Sequence, residues 1–114
     1  MVKRVILLLF PLALLANKVI CQIEEQRILC KYFIDRSDNA HGVQVRFIWH
    51  SPNGQDDRVR LFQVPPYYGS VYDYRFLPGR EQGRWIVEVQ ELETNKSATT
   101  SFDINESSEE FFED

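Results

Sequence analysis

The chain has 114 residues, with 13 Lys and Arg against 17 Asp and Glu and a formal charge of −4 at neutral pH. That length allows one domain and no more. Without a basic excess there is no field to hold nucleic acid and no polybasic patch to hold anionic lipid.

The N-terminus reads as an export leader. Lys3 and Arg4 precede a 12-residue apolar run, Val5 to Ala16, which Asn17 and Lys18 end. A membrane-spanning helix needs roughly 20 apolar residues. A run this short, interrupted by Pro11, suits a signal-peptide core, so residues 1–21 are expected to form the leader. Val19 and Cys21 fit the positions before the cut, leaving Gln22 as the new N-terminus. Cutting after Ala16 is the alternative, and lipid attachment at Cys21 ranks behind both because Ile20 is not small. Loss of Lys3, Arg4 and Lys18 would take the charge from −4 to −7, five of it in the last nine residues.

A strand is predicted over Arg27–Ile34, with Ile28, Cys30, Tyr32 and Ile34 on one side. If residue 22 begins the mature chain, Cys30 is a lone buried thiol. If the cut lies earlier, Cys21 and Cys30 could pair, provided the chain between them folds back. Residues 35–41 form a polar loop. Gly42–His50 alternates most clearly: Val43, Val45, Phe47 and Trp49 fall on one face, Gln44, Arg46, Ile48 and His50 on the other. Ser51-Pro52-Asn53-Gly54 is a turn signature. Arg58–Val64 is a third strand, which Pro65-Pro66 breaks.

Tyr67–Leu77 is aromatic and extended, with a fourth strand from Val71. Pro78-Gly79 and Gly83 mark the next turn. Arg84–Leu92 alternates again, Trp85, Val87 and Val89 inward. A loop at residues 93–96 and a strand over Ser97–Ile104 complete an expected domain of residues 22–104. Residues 105–114 form an acidic tail with little to bury. Six or seven short strands with Gly and Pro turns and no amphipathic helix predict an antiparallel β-sandwich. Trp49 followed by Pro52-Asn53-Gly54, and then Gly83-Arg84-Trp85-Ile86-Val87-Glu88-Val89, resembles small immunoglobulin-like modules of bacterial exported proteins over residues 43–104. The resemblance implies the fold and leaves the function open.

Asn95-Lys96-Ser97 and Asn105-Glu106-Ser107 are both N-x-Ser acceptors. Glu93 and Asp103 stand two residues upstream. Both matches resemble the extended sequon Asp/Glu-x-Asn-x-Ser/Thr of exported periplasmic glycoproteins in Campylobacter-type bacteria, which implies N-glycans at Asn95 and Asn105.

Other chemistry finds little support. His41 and His50 have no metal-ligand spacing with Cys or with each other, and no cofactor motif is present. Ser51 adjoins His50, but neighbouring strand residues point to opposite faces. Asp56 and Asp57 read as loop carboxylates. The chain is therefore expected to be non-catalytic: a periplasmic or secreted accessory protein that meets an envelope protein partner. The best binding surface is Tyr67, Tyr68, Tyr72, Tyr74 and Arg75, amphipathic side chains suited to protein or sugar, so a small carbohydrate- or ligand-binding protein is the alternative. Phe111 and Phe112, set among acids, could dock in a partner's groove.

Overall fold

The computed structural model describes residues 17–36 and 41–105. The apolar run of the expected leader and the acidic stretch with Phe111 and Phe112 lie outside them. Seven strands follow in chain order: β1 (Lys18–Glu24), β2 (Arg27–Phe33), β3 (Val43–His50), β4 (Arg58–Val64), β5 (Ser70–Phe76), β6 (Gly83–Glu91) and β7 (Ser97–Ile104). They form two antiparallel sheets, β1-β2-β5 and β4-β3-β6-β7. Sequence periodicity thus gave the right class, an all-β sandwich.

Alternation decides which faces meet. Ile28, Cys30 and Tyr32 from β2 meet Val45, Phe47 and Trp49 from β3 and Trp85, Val87 and Val89 from β6, all fully buried. Burying a large apolar side chain contributes roughly 1.5–3 kcal/mol. The Trp85 ring stacks on Phe102 at 6.2 Å, and Trp49 meets Phe102 edge-on at 6.4 Å.

The strand β1 begins before the expected domain start at residue 22. Its first four residues pair with β2, from Lys18 opposite Phe33 to Cys21 opposite Cys30. A two-residue turn at Glu25 and Gln26 folds the chain back, with Glu25 in the left-handed region at φ 53°. Of the two alternatives for Cys30, the chain that keeps Cys21 shows the pairing: Cys30 is buried and bonded to Cys21. Extended chain between the two cysteines would have kept them apart, and the hairpin removes that obstacle.

The β3–β4 turn is held by Asp57, which the sequence presents as a plain loop acid. Its Oδ1 accepts the Ser51 backbone N–H at 2.6 Å and the Ser51 hydroxyl at 2.8 Å. Gly83 lies at φ 129°, and a Cβ there would stand 2.9 Å from Pro52 Cγ, so only glycine lets β6 start against this turn. The hydrogen bonds from Ser51 hold the Asp57 carboxyl below its ordinary pKa. A depressed carboxylate contributes stability that is present above the unfolded-state pKa and is lost as pH falls through the folded-state value. Asp57→Asn is therefore expected to destabilise the protein at pH 7, with the gap to the parent closing in acid. Urea midpoints at pH 7 and pH 3 check this, and an equal gap at both would refute it.

Candidate functional site

The sandwich sets three strands over four. Both β4 and β5 are edge strands, and the inner face of β4 is only partly covered. The register places Arg58, Arg60, Phe62 and Val64 on that inner face, opposite Trp49, Phe47, Val45 and Val43. Val59 and Leu61 are exposed on the other side. A groove of about 400 Å³ therefore runs between β4 and β5, floored by Phe62, Val64 and Val71 and flanked by Tyr72 and Tyr74. Beyond Arg60 and Tyr74 it continues into a second hollow of about 280 Å³, bounded by Arg58, Arg75, Phe76 and Arg80.

Asp73 anchors this edge. It is 3% exposed, and its Oδ2 accepts the Trp49 indole N–H at 2.9 Å and Arg58 Nη2 at 2.9 Å. Its Oδ1 accepts the Tyr74 backbone N–H at 2.9 Å and lies 3.9 Å from Arg60 Nη1. Arg58 also donates to the Tyr74 carbonyl at 2.8 Å, so side chains cap both backbone groups of the β5 edge at Tyr74. Such capping blunts an open edge against indiscriminate pairing.

The lower end of the groove is formed by the β4–β5 connection. Arg36 fixes it by donating to the carbonyls of Pro65 at 2.8 Å, Tyr68 at 2.7 Å and His41 at 2.8 Å. Tyr67 sits at φ 75° in this connection, and both Tyr67 and Tyr68 are exposed. Tyr72 and Tyr74 project with Phe76 from the outer face of β5, where Arg27 lies over the Tyr74 ring at 5.3 Å.

The expected surface thus divides. The four tyrosines are exposed, but Arg75 is not with them. It is 7% exposed and turned inward, its guanidinium 5.7 Å from the Trp49 ring and 5.5 Å from the Trp85 ring. Arg75 Nη2 donates to Asp56 Oδ1 at 2.8 Å, and Arg80 Nη1 reaches the same oxygen at 3.1 Å. Burial pulls the Arg75 pKa down, and the Asp56 carboxylate opposes that. The reason for the split is the period of two: residue 75 shares a face with 71 and 73, and 72 and 74 share the other. What sequence reasoning missed was Arg58 and Arg60. Their signal was Phe62 and Val64, which fix the inward face of β4.

The remaining candidates are spread out. His50 Nε2 lies 3.5 Å from Glu88 and is half exposed, and the Ser51 hydroxyl is committed to Asp57. Among the described residues, no three His, Cys, Asp or Glu side chains are placed to hold a metal ion. No described helix is long and apolar enough to cross a membrane.

Both acceptor asparagines are exposed, in different settings. Asn95 lies in the β6–β7 turn at φ 61°, and its N–H donates to the Glu91 carbonyl at 3.1 Å. The upstream Glu93 accepts the Gln44 backbone N–H at 3.2 Å. Asn105 follows directly on β7.

No protein-family model matches the sequence, and no curated protein matches it.

Proposed function

We propose that this chain is an exported, non-catalytic interaction module whose β4–β5 groove receives an extended segment of an envelope protein. The observation that carries this reading is an apolar groove between two edge strands, walled by exposed tyrosines. Extended peptides commonly dock at sheet edges, where side-chain pockets supply specificity. Tyr offers large contact area at low entropic cost, which suits such walls. Monomeric proteins seldom expose many large apolar side chains together without a binding use. Here Tyr72, Tyr74 and Phe76 are exposed together on the outer face of β5, with Tyr68 exposed in the β4–β5 connection, while Val59 and Leu61 are exposed on the outer face of β4.

Export is supported by the charged and apolar N-terminal pattern and by the Cys21–Cys30 disulfide, a bond that persists in oxidising compartments. Glycans at Asn95 and Asn105 belong to the same reading, since both side chains reach the surface.

The experiment is cross-linking and co-purification of the full-length protein from the envelope fraction of its host. The parent is expected to recover a protein partner, and Tyr72→Ser/Tyr74→Ser to lose at least nine-tenths of it while keeping its thermal midpoint. Undiminished recovery by the double variant would exclude the groove. Stabilisation of the parent by a soluble saccharide, abolished in the same variant, would replace the protein partner with a carbohydrate.

A further inference from the structure

We propose that the acidic C-terminal segment, residues 106–114, folds back on its own domain and occupies the arginine end of the β4–β5 groove, so that a partner must displace it. The proposal rests on the groove being a binding site and names its resident occupant.

Charge is the first argument. Four guanidinium groups, Arg58, Arg60, Arg75 and Arg80, gather there against two carboxylates, Asp56 and Asp73. With Asp57, whose carboxyl also feels the Arg75 charge, the described residues leave an excess of one positive charge. The Nε atoms of Arg58 and Arg80 are buried, with no hydrogen-bond acceptor among the described residues. A buried polar group without a partner is costly, more so when charged. An arriving carboxylate would offset the positive charge and accept from the guanidinium donors that face the hollow, those of exposed Arg60 above all.

The composition of the segment is the second argument. Glu106-Ser107-Ser108-Glu109-Glu110-Phe111-Phe112-Glu113-Asp114 sets five carboxylates around two adjacent phenylalanines. The hollow sets arginines beside the exposed rings of Tyr74 and Phe76. Each chemistry of the segment finds its complement.

Reach is the third. The last strand ends at Ile104 opposite Gly83, and Arg58 pairs with Trp49 at the same end of the sheet. The order β4-β3-β6-β7 puts three strand spacings between β7 and β4, about 14 Å at roughly 4.8 Å each, and the four-residue offset from Gly83 to Val87, which is in line with Arg58, adds about 13 Å along the strands, a separation of about 20 Å. Nine extended residues span up to about 30 Å. A short tether of this kind gives an effective concentration in the millimolar range, so a site too weak to hold the free peptide is still filled in cis.

The test uses full-length protein and a full-length variant with a disabled tail, Glu109→Lys/Glu110→Lys/Phe111→Ser/Phe112→Ser. The probe is a fluorescent synthetic peptide of residues 105–114, followed by anisotropy at low salt and by amide NMR shifts. The peptide is expected to bind the tail variant at least tenfold more tightly than the parent, with shifts concentrated at Arg58, Arg60, Tyr74 and Arg80. Adding Arg60→Glu to the tail variant, or raising salt to 0.5 M, should lose that binding. No binding to the tail variant, or equal affinity for variant and parent, overturns the proposal. Panning a random peptide library on the tail variant separates the two readings. Library peptides that shift the groove while the tail peptide does not would overturn only the tail's occupancy. Failure of both would overturn the groove reading with it.

Discussion

Replacing Asp73 with alanine is expected to cost about 3 kcal/mol of stability, a large share of the roughly 5–15 kcal/mol typical of a small domain. The residue is 3% exposed and serves the Trp49 indole, the Arg58 guanidinium and the Tyr74 backbone amide at once, each at 2.9 Å. Removal leaves a buried indole N–H unpaired and Arg58 without its counter-charge. Breaking a fully buried pair costs about 3–5 kcal/mol. The low end applies because the Arg58 side chain is 30% exposed and can recruit water. Asp73→Asn keeps an acceptor for the indole while removing the charge, so its loss should be clearly smaller. The measurement is the urea midpoint at unchanged slope, followed by Trp fluorescence. A cost below about 1 kcal/mol would show that water replaces all of these bonds. The Arg58→Met variant completes a double-mutant cycle, in which a coupling energy separates the ion pair from the indole bond.

The sandwich was legible because β3 and β6 alternate without exception: Val43, Val45, Phe47 and Trp49, then Trp85, Val87 and Val89, all turn inward. The strand β1 was not legible, for two reasons. Its apolar residues run on from the apolar N-terminal stretch, and the Glu25–Gln26 turn has none of the Gly, Asn, Asp or Pro that usually announces a hairpin. In β4 the two apolar sets disagree. Val59 and Leu61 point to one face, Phe62 and Val64 to the other, and tertiary packing chose the second. That choice brings Arg58 and Arg60 to the open side of the sandwich and so makes the groove. A candidate surface could be read from Tyr67, Tyr68, Tyr72 and Tyr74. Its arginine end could not, because Arg58, Arg75 and Arg80 are brought together by contacts between β4, β5 and the β5–β6 connection.

Replacing Cys21 and Cys30 together with alanine is expected to lower stability by about 2–3 kcal/mol and to free β1 before the rest of the sandwich unfolds. The bond closes a sequence separation of only 9 residues, so the chain-entropy gain is modest, about 2–3 kcal/mol. Its local weight is greater. Among the described residues the only strand ladder of β1 is with β2, and its one buried side chain is Val19. Amides of residues 18–24 should therefore exchange faster in the variant while those of β3 and β6 keep their protection, a local opening that hydrogen exchange resolves. Uniform loss of protection across all strands would show instead that β1 unfolds only with the whole domain. The same bond bears on where an export leader would be cut. A cut after Cys21 would remove four of the seven residues of β1, from Lys18 to Cys21, and leave Cys30 as a free thiol in the core. A cut after Ala16 would keep Asn17, whose amide donates to the Phe33 carbonyl at 2.8 Å and whose side chain donates to Tyr32 and Glu91. Asn17→Ala should then weaken the start of the strand without touching the disulfide. Thiol titration of unfolded, unreduced protein from the native host decides between the cuts. No reactive thiol is the expected result, and one thiol per chain would place the cut after Cys21 and leave the three-stranded sheet without most of its first strand.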